Sequence, residues 1–104
     1  MIVLPNKSAA VWDKFLEENK VLVYKFIIGE IKKNLYDDKE NIELFTFEDG
    51  SVFAWIPKKS VLQTLDHAIE VFVEHEEYEL AQKVSNLIKR YHVEKLLSEI
   101  HKEE

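Results

Sequence analysis

Apolar residues recur along this chain at two different periods, and the switches between them outline its elements. Trp12, Phe15 and Leu16 form a stripe with Asp13, Lys14, Glu17 and Glu18 off it, the pattern of an amphipathic helix. Asn6-Lys7-Ser8 places capping side chains just ahead, so this helix is predicted to start at Ser8. After an interruption at Asn19-Lys20, Tyr24, Ile27, Ile28, Ile31 and Leu35 repeat at helical spacing, with Lys25, Lys32 and Lys33 off that face. Val21-Leu22-Val23-Tyr24 would also suit a strand, because β-branched and aromatic residues fit a pleated surface. Apolar residues at consecutive rather than alternating positions favour helix over 21–34. Ahead of all this, Ile2-Val3-Leu4, stopped by Pro5, suits a short edge strand or an extended arm.

The period changes after the polar loop Asp37-Asp38-Lys39-Glu40-Asn41. Ile42-Glu43-Leu44-Phe45-Thr46-Phe47 and Val52-Phe53-Ala54-Trp55-Ile56 flank Glu48-Asp49-Gly50-Ser51, which predicts a β-hairpin over about 42–56. Asp49-Gly50 would supply the two positive φ angles of a tight turn. Pairing Phe47 with Val52 places Phe45, Phe47, Val52, Ala54 and Ile56 on one face and Ile42, Leu44, Thr46, Phe53 and Trp55 on the other. Both faces are then apolar, whereas a solvated sheet face alternates to polar residues. Pro57 ends the second strand, and Ser60-Val61-Leu62-Gln63 reads as a capping box. A helical hairpin over about 60–91 follows, with stripes Leu62, Leu65, Ile69, Phe72, Val73 and Tyr78, Ala81, Val84, Leu87, Ile88, Tyr91, interrupted at Glu74-His75-Glu76-Glu77. Val93, Leu96, Leu97 and Ile100 continue the spacing on a rotated face, which predicts a break near His92 and a further helical piece to about 101. The fold class is α+β, in a single domain over 1–104.

Composition narrows the function. With 46% hydrophobic and 33% charged residues, two Gly and two Pro, the 104-residue chain can offset its folding entropy and is not a low-complexity linker. No cysteine is present, which excludes disulfides, thiol nucleophiles and cysteine metal sites. Twenty acids against fourteen Lys and Arg give a net charge of −6, which repels nucleic acid and anionic lipid. No apolar run reaches the length of a membrane span, and Met1 to Pro5 lacks the layout of a signal peptide, so a cytoplasmic location is expected.

Candidate chemistry is sparse. His75-Glu76-Glu77-Tyr78-Glu79 lacks the second imidazole of a zinc-protease motif, and no Glu stands three residues before a histidine as helical di-iron sites require. His67, Glu70 and Glu74 share one helical face and are the alternative reading, a metal-assisted hydrolase or a ligand site. Gly29 and Gly50 stand alone and form no phosphate loop; no serine has nucleophile-elbow glycines around it. The expectation is a protein that is not an enzyme and needs neither metal nor cofactor. Charge and aromatics say more. Asp66 to Glu79 holds six acids and no base, and Asp37 to Asp49 holds six acids against Lys39. Twelve aromatics are a heavy share for so small a core, and surplus aromatics anchor protein interfaces.

Glu77-Tyr78-Glu79-Leu80-Ala81, with Asn86-Leu87-Ile88 after it and Leu65 to Phe72 before it, resembles the UVR helical hairpin of bacterial excision-repair proteins and protease-associated adaptors. Ser85 stands where that pattern has Arg. The resemblance covers residues 65–91 and implies a non-catalytic hairpin that docks on a partner or on a second copy. Tyr78, Ala81 and Ile88 would pack it, with Phe72 beside the turn. The Lys/Glu/Asn-rich, glycine-poor composition is similar to that of small accessory proteins of large tailed phages, which implies a regulator or inhibitor. The expected function is therefore protein docking, with homodimerisation as one form. Phe53 and Trp55, or Phe45 and Phe47 on the other face, would be the anchors, and Asp66, Glu70, Glu74, Glu76 and Glu77 would steer the encounter. An acidic mimic of nucleic acid is a variant of this reading.

Overall fold

The structure, a computed structural model, describes residues 2–5 and 9–103, and the side chains of these except 2, 4, 9, 53 and 101–103. Chain order is β1 (Ile2–Leu4), α1 (Ala9–Glu18), α2 (Lys20–Asn34), β2 (Asn41–Phe47), β3 (Val52–Pro57), a 3₁₀ turn (Lys58–Ser60), α3 (Val61–Glu74) and α4 (Tyr78–Glu103). This is the expected α+β arrangement, with N-terminal helices, a central hairpin and C-terminal helices. Residues 21–34 are helical, as the consecutive apolar positions favour. The capping role expected of Ser8 lies outside the described residues. Asn19 separates α1 from α2: its backbone leaves helical values, and its side-chain amide donates to Phe15 O at 2.8 Å, closing the end of α1.

The sheet has order β1-β2-β3. The short N-terminal segment is an edge strand parallel to β2, with Ile2 opposite Phe45 and Leu4 opposite Phe47. The hairpin forms, but its register corrects the expected one. Val52 pairs with Thr46 rather than Phe47, Ile42 pairs with Ile56, and Glu43 pairs with Trp55. Two compensating bulges, at Leu44 on β2 and at Phe53 on β3, let the consecutive Leu44 and Phe45 both turn inward. The turn differs as well. Only Gly50 has a positive φ, +88°, and the Gly50 N–H donates to Phe47 O at 2.9 Å. The loop is therefore three residues, Glu48 to Gly50, a turn closed by a left-handed glycine rather than two residues in mirror-image conformation. Asp49 holds it: its Oδ1 accepts from Ser51 N at 2.9 Å and from Ser51 Oγ at 2.6 Å, which keeps the Asp49 carboxyl below its ordinary range.

One slip of register exchanges the faces of one strand relative to the other. Ile42, Leu44, Phe45 and Ile56 now enter a single core with Ile27, Ile28, Ile31 and Leu35 of α2, Leu65, Ala68 and Phe72 of α3, and Ala81, Val84 and Leu87 of α4. Phe26 of α2 lies with its ring 5.2 Å from that of Phe45. The Cα atoms extend only 16 Å along the shortest axis, the thickness of one helical layer on one sheet. The other face of the sheet carries Glu43 and Trp55, and the row Val3, Thr46 and Val52.

Two further expectations need correction. Ser60 makes no side-chain capping bond. The 3₁₀ turn runs straight into α3, and Val61 N donates to Lys58 O, so that turn rather than the box serves the first amide of the helix, while Thr64 Oγ1 donates back to Ser60 O at 3.0 Å. No break occurs near His92 either. Residues 78–103 contain neither Gly nor Pro, so α4 continues as the core falls away and its apolar stripe rotates into solvent. The α3 stripe is also rotated from the expected one: Val61, Ala68 and Val71 are buried, while Val73 is exposed.

Between α3 and α4 the chain reverses without glycine. Glu76 has φ +59°; the Glu76 N–H donates to Val73 O at 3.0 Å and the Glu77 N–H to Phe72 O at 2.7 Å, the paired bonds of a Schellman cap. A left-handed conformation costs a side-chain-bearing residue about 1 kcal/mol that glycine avoids. Glu76→Gly should therefore raise the thermal midpoint, by about 4–8 °C for a domain of this size. Differential scanning calorimetry reads this, and an unchanged or lower midpoint would show that Glu76 is held by more than the cap.

Asp37 and Lys58 tie the α2–β2 loop to the β3–α3 corner. Lys58 Nζ lies 2.5 Å from Asp37 Oδ1, Lys39 N donates to the same oxygen at 3.0 Å, and Lys58 N donates to Glu40 O at 2.9 Å. The Lys58 hydrogen bond, then the Lys39 amide, holds the Asp37 carboxyl below its ordinary value of 3.8. A carboxyl lowered on folding contributes stability above its unfolded pKa and loses it as pH falls through the folded value. Wild type should thus exceed Lys58→Met in urea midpoint at about pH 6, and the gap should shrink as the pH is lowered below the ordinary carboxyl value of 3.8. A gap independent of pH would assign the difference to the lysine stem.

Candidate docking surface

Of the four aromatic positions singled out in the hairpin, the structure separates three. Phe45 is a core residue, 5% exposed, and is withdrawn as an anchor. Its ring is held by Phe26, and the Leu44 bulge turns it inward. Phe47 is half-buried against the same cluster. Trp55 is 54% exposed, opposite Glu43 on the side away from α2 and α3. The Phe53 side chain lies outside the described residues. Around Trp55 the outer face carries Val52 and Val3, both exposed and both from strand positions opposite Thr46. The surface is thus an exposed indole and two exposed valines on one sheet face, with Glu43 opposite the indole and the buried Thr46 between the valines. Such a surface can bury area against another chain.

Asp66, Glu70, Glu74, Glu76 and Glu77 are all exposed. They occupy the outward side of α3 and its turn into α4, while Leu65, Ala68 and Phe72 of the same helix point to the core. Trp55 and these acids therefore face away from one core on different elements and do not converge. Within the acidic set, His67 Nδ1 lies 3.4 Å from Glu70 Oε2, both in solvent, and the His67 ring meets Tyr24 edge-on at 5.5 Å. Among the described residues no group of three His, Asp or Glu side chains is placed to hold a metal ion. A cavity of about 630 Å³ opens at the Asp37–Lys58 corner, where those two charges already satisfy each other.

Two features were not anticipated from the sequence. The distal half of α4 leaves the body with Val93, Leu96, Leu97 and Ile100 exposed. Its root is fastened by Tyr36, whose hydroxyl donates to the Glu94 carboxylate; burial and that bond push the phenol up to about 12. A second set, Lys25 and Lys32 on α2 with Lys83 and Arg90 on α4, converges on one groove. The seven-residue spacing within each pair is the signal that would have found it. No family model matches the chain, and comparison with the curated proteins and with the solved structures gives no match. No described helix is long and apolar enough to cross a membrane.

Proposed function

We propose that this chain is a non-enzymatic docking module that regulates or inhibits another protein through the outer face of its sheet. The observation that carries the reading is the exposure of Trp55 on the outer face of the sheet, with Val52 and Val3 exposed on the same face. A large aromatic surrounded by apolar neighbours is the usual energetic centre of a protein interface, because truncating it removes much buried area at low conformational cost. The acids Asp66, Glu70, Glu74, Glu76 and Glu77 lie off that face and act at longer range, raising the encounter rate with a basic partner. This division of labour replaces a single composite site. Parallel affinity capture from host lysate on immobilised wild type and Trp55→Ala tests it. A protein retained by wild type and lost by the variant is expected. Identical retained sets on both matrices would defeat the reading.

A further inference from the structure

We infer that the groove between α2 and α4 docks an acidic peptide segment that also carries apolar side chains. Two adjoining cavities of about 170 and 150 Å³ share Lys32 and Lys83, which makes them one groove; Lys25 lies at one end and Arg90 at the other. Each pair is two helical turns apart, about 10 Å, so the cations run along roughly 20 Å of groove. The lining of both cavities contains no acidic residue. Among the described residues, none of the four cations makes an ion pair, although the chain carries six more acids than Lys and Arg. Cations that find no carboxylate in so acidic a chain are held apart by the fold and are free to meet carboxylates from outside.

The floor supplies the second half of the argument. It is aliphatic, from Ile28, Leu80 and Val84, over the buried ring of Phe72. Gly29 sits in the middle of α2 on this floor, where glycine costs about 1 kcal/mol against alanine. Nothing lies within 4 Å of the position its Cβ would take, so internal packing does not require the glycine. Its bare α-carbon keeps the groove open for an entering side chain. An apolar floor between cationic rails fits a peptide that alternates carboxylates with Leu-like residues. It does not fit a nucleic acid, which would need exposed aromatics for its bases and would meet the chain's net charge of −6.

The test uses a fluorescein-labelled synthetic peptide of about 14 residues, four helical turns, with Glu flanking a Leu stripe. Anisotropy should show binding that weakens with added salt, and amide shifts should move over 25–32 and 80–90. The double variant Lys32→Glu/Lys83→Glu should weaken binding at least about tenfold, as should Gly29→Leu, which fills the floor without changing charge. Gly29→Ala should bind no better than wild type while melting higher, which separates groove filling from damage to the fold. No binding to wild type would overturn the inference, as would equal binding by wild type and both groove variants. So would a stronger response to an oligothymidylate of about a dozen nucleotides that the same variants abolish, since that would make the groove a nucleic-acid site.

Discussion

Phe72→Ala is expected to cost about 3–5 kcal/mol, a large part of the roughly 5–15 kcal/mol that a domain of this size has in total. Phe72 is 1% exposed and the largest fully buried side chain of the core. It comes from α3, meets α2 and α4 around it, and its carbonyl accepts the Glu77 N–H that closes the turn. Removing the ring leaves a cavity where three helices meet, and the helices cannot close over it without drawing in the α3–α4 turn. Urea unfolding followed by circular dichroism measures the loss. A cost under about 1 kcal/mol would mean that the helices collapse onto the vacancy, and that the core is less tightly determined than its burial indicates.

The second large effect falls on binding and spares the fold. Trp55→Ala should leave unfolding within about 0.5 kcal/mol of wild type, because half of the residue already faces water and it stands outside the buried core. Partner affinity should fall by at least about 2 kcal/mol, roughly 30-fold, the scale of a central interface tryptophan. Titration calorimetry with the captured partner, beside a urea curve of the same variant, reads both quantities. A variant that loses several kcal/mol of stability would place Trp55 in the core and remove the basis of the docking surface. Two aromatics in one small protein thus carry opposite expectations, and burial alone distinguishes them.

Element types were legible in the sequence because period and propensity agree: Tyr24 to Leu35 at helical spacing, and two β-rich runs around Glu48 to Ser51. Register was not. The apolar pattern of the hairpin is nearly continuous, so alternation could not choose between pairings, and two compensating bulges depend on packing against Phe26 that local sequence does not encode. The anchor was correspondingly half-legible. Trp55 was among four candidates, and only the register shows that it lies opposite Glu43 while Phe45 lies inward. The reversal at Glu76 lacks the glycine that marks most such caps, leaving lost periodicity as the sole sign. The cation groove stayed hidden for a different reason. Lys25 and Lys83 are 58 positions apart in sequence, and each reads alone as an ordinary lysine on a wet helix face.

The parallel union of β1 with β2 has a consequence for assembly. Ile2 to Leu4 must wait for Phe45 to Phe47, more than forty residues later, whereas the hairpin closes over a three-residue loop and each helix over its own turns. Bringing such distant segments together carries a larger chain-closure penalty than closing the hairpin loop, so β1 should be the last strand to join and the first to leave. During synthesis, and in every transient opening afterwards, the β2 edge stands bare. The N-terminal strand therefore serves as a removable cover on that edge, and its backbone amides in residues 2–4 should exchange with solvent far faster than those of the hairpin it caps.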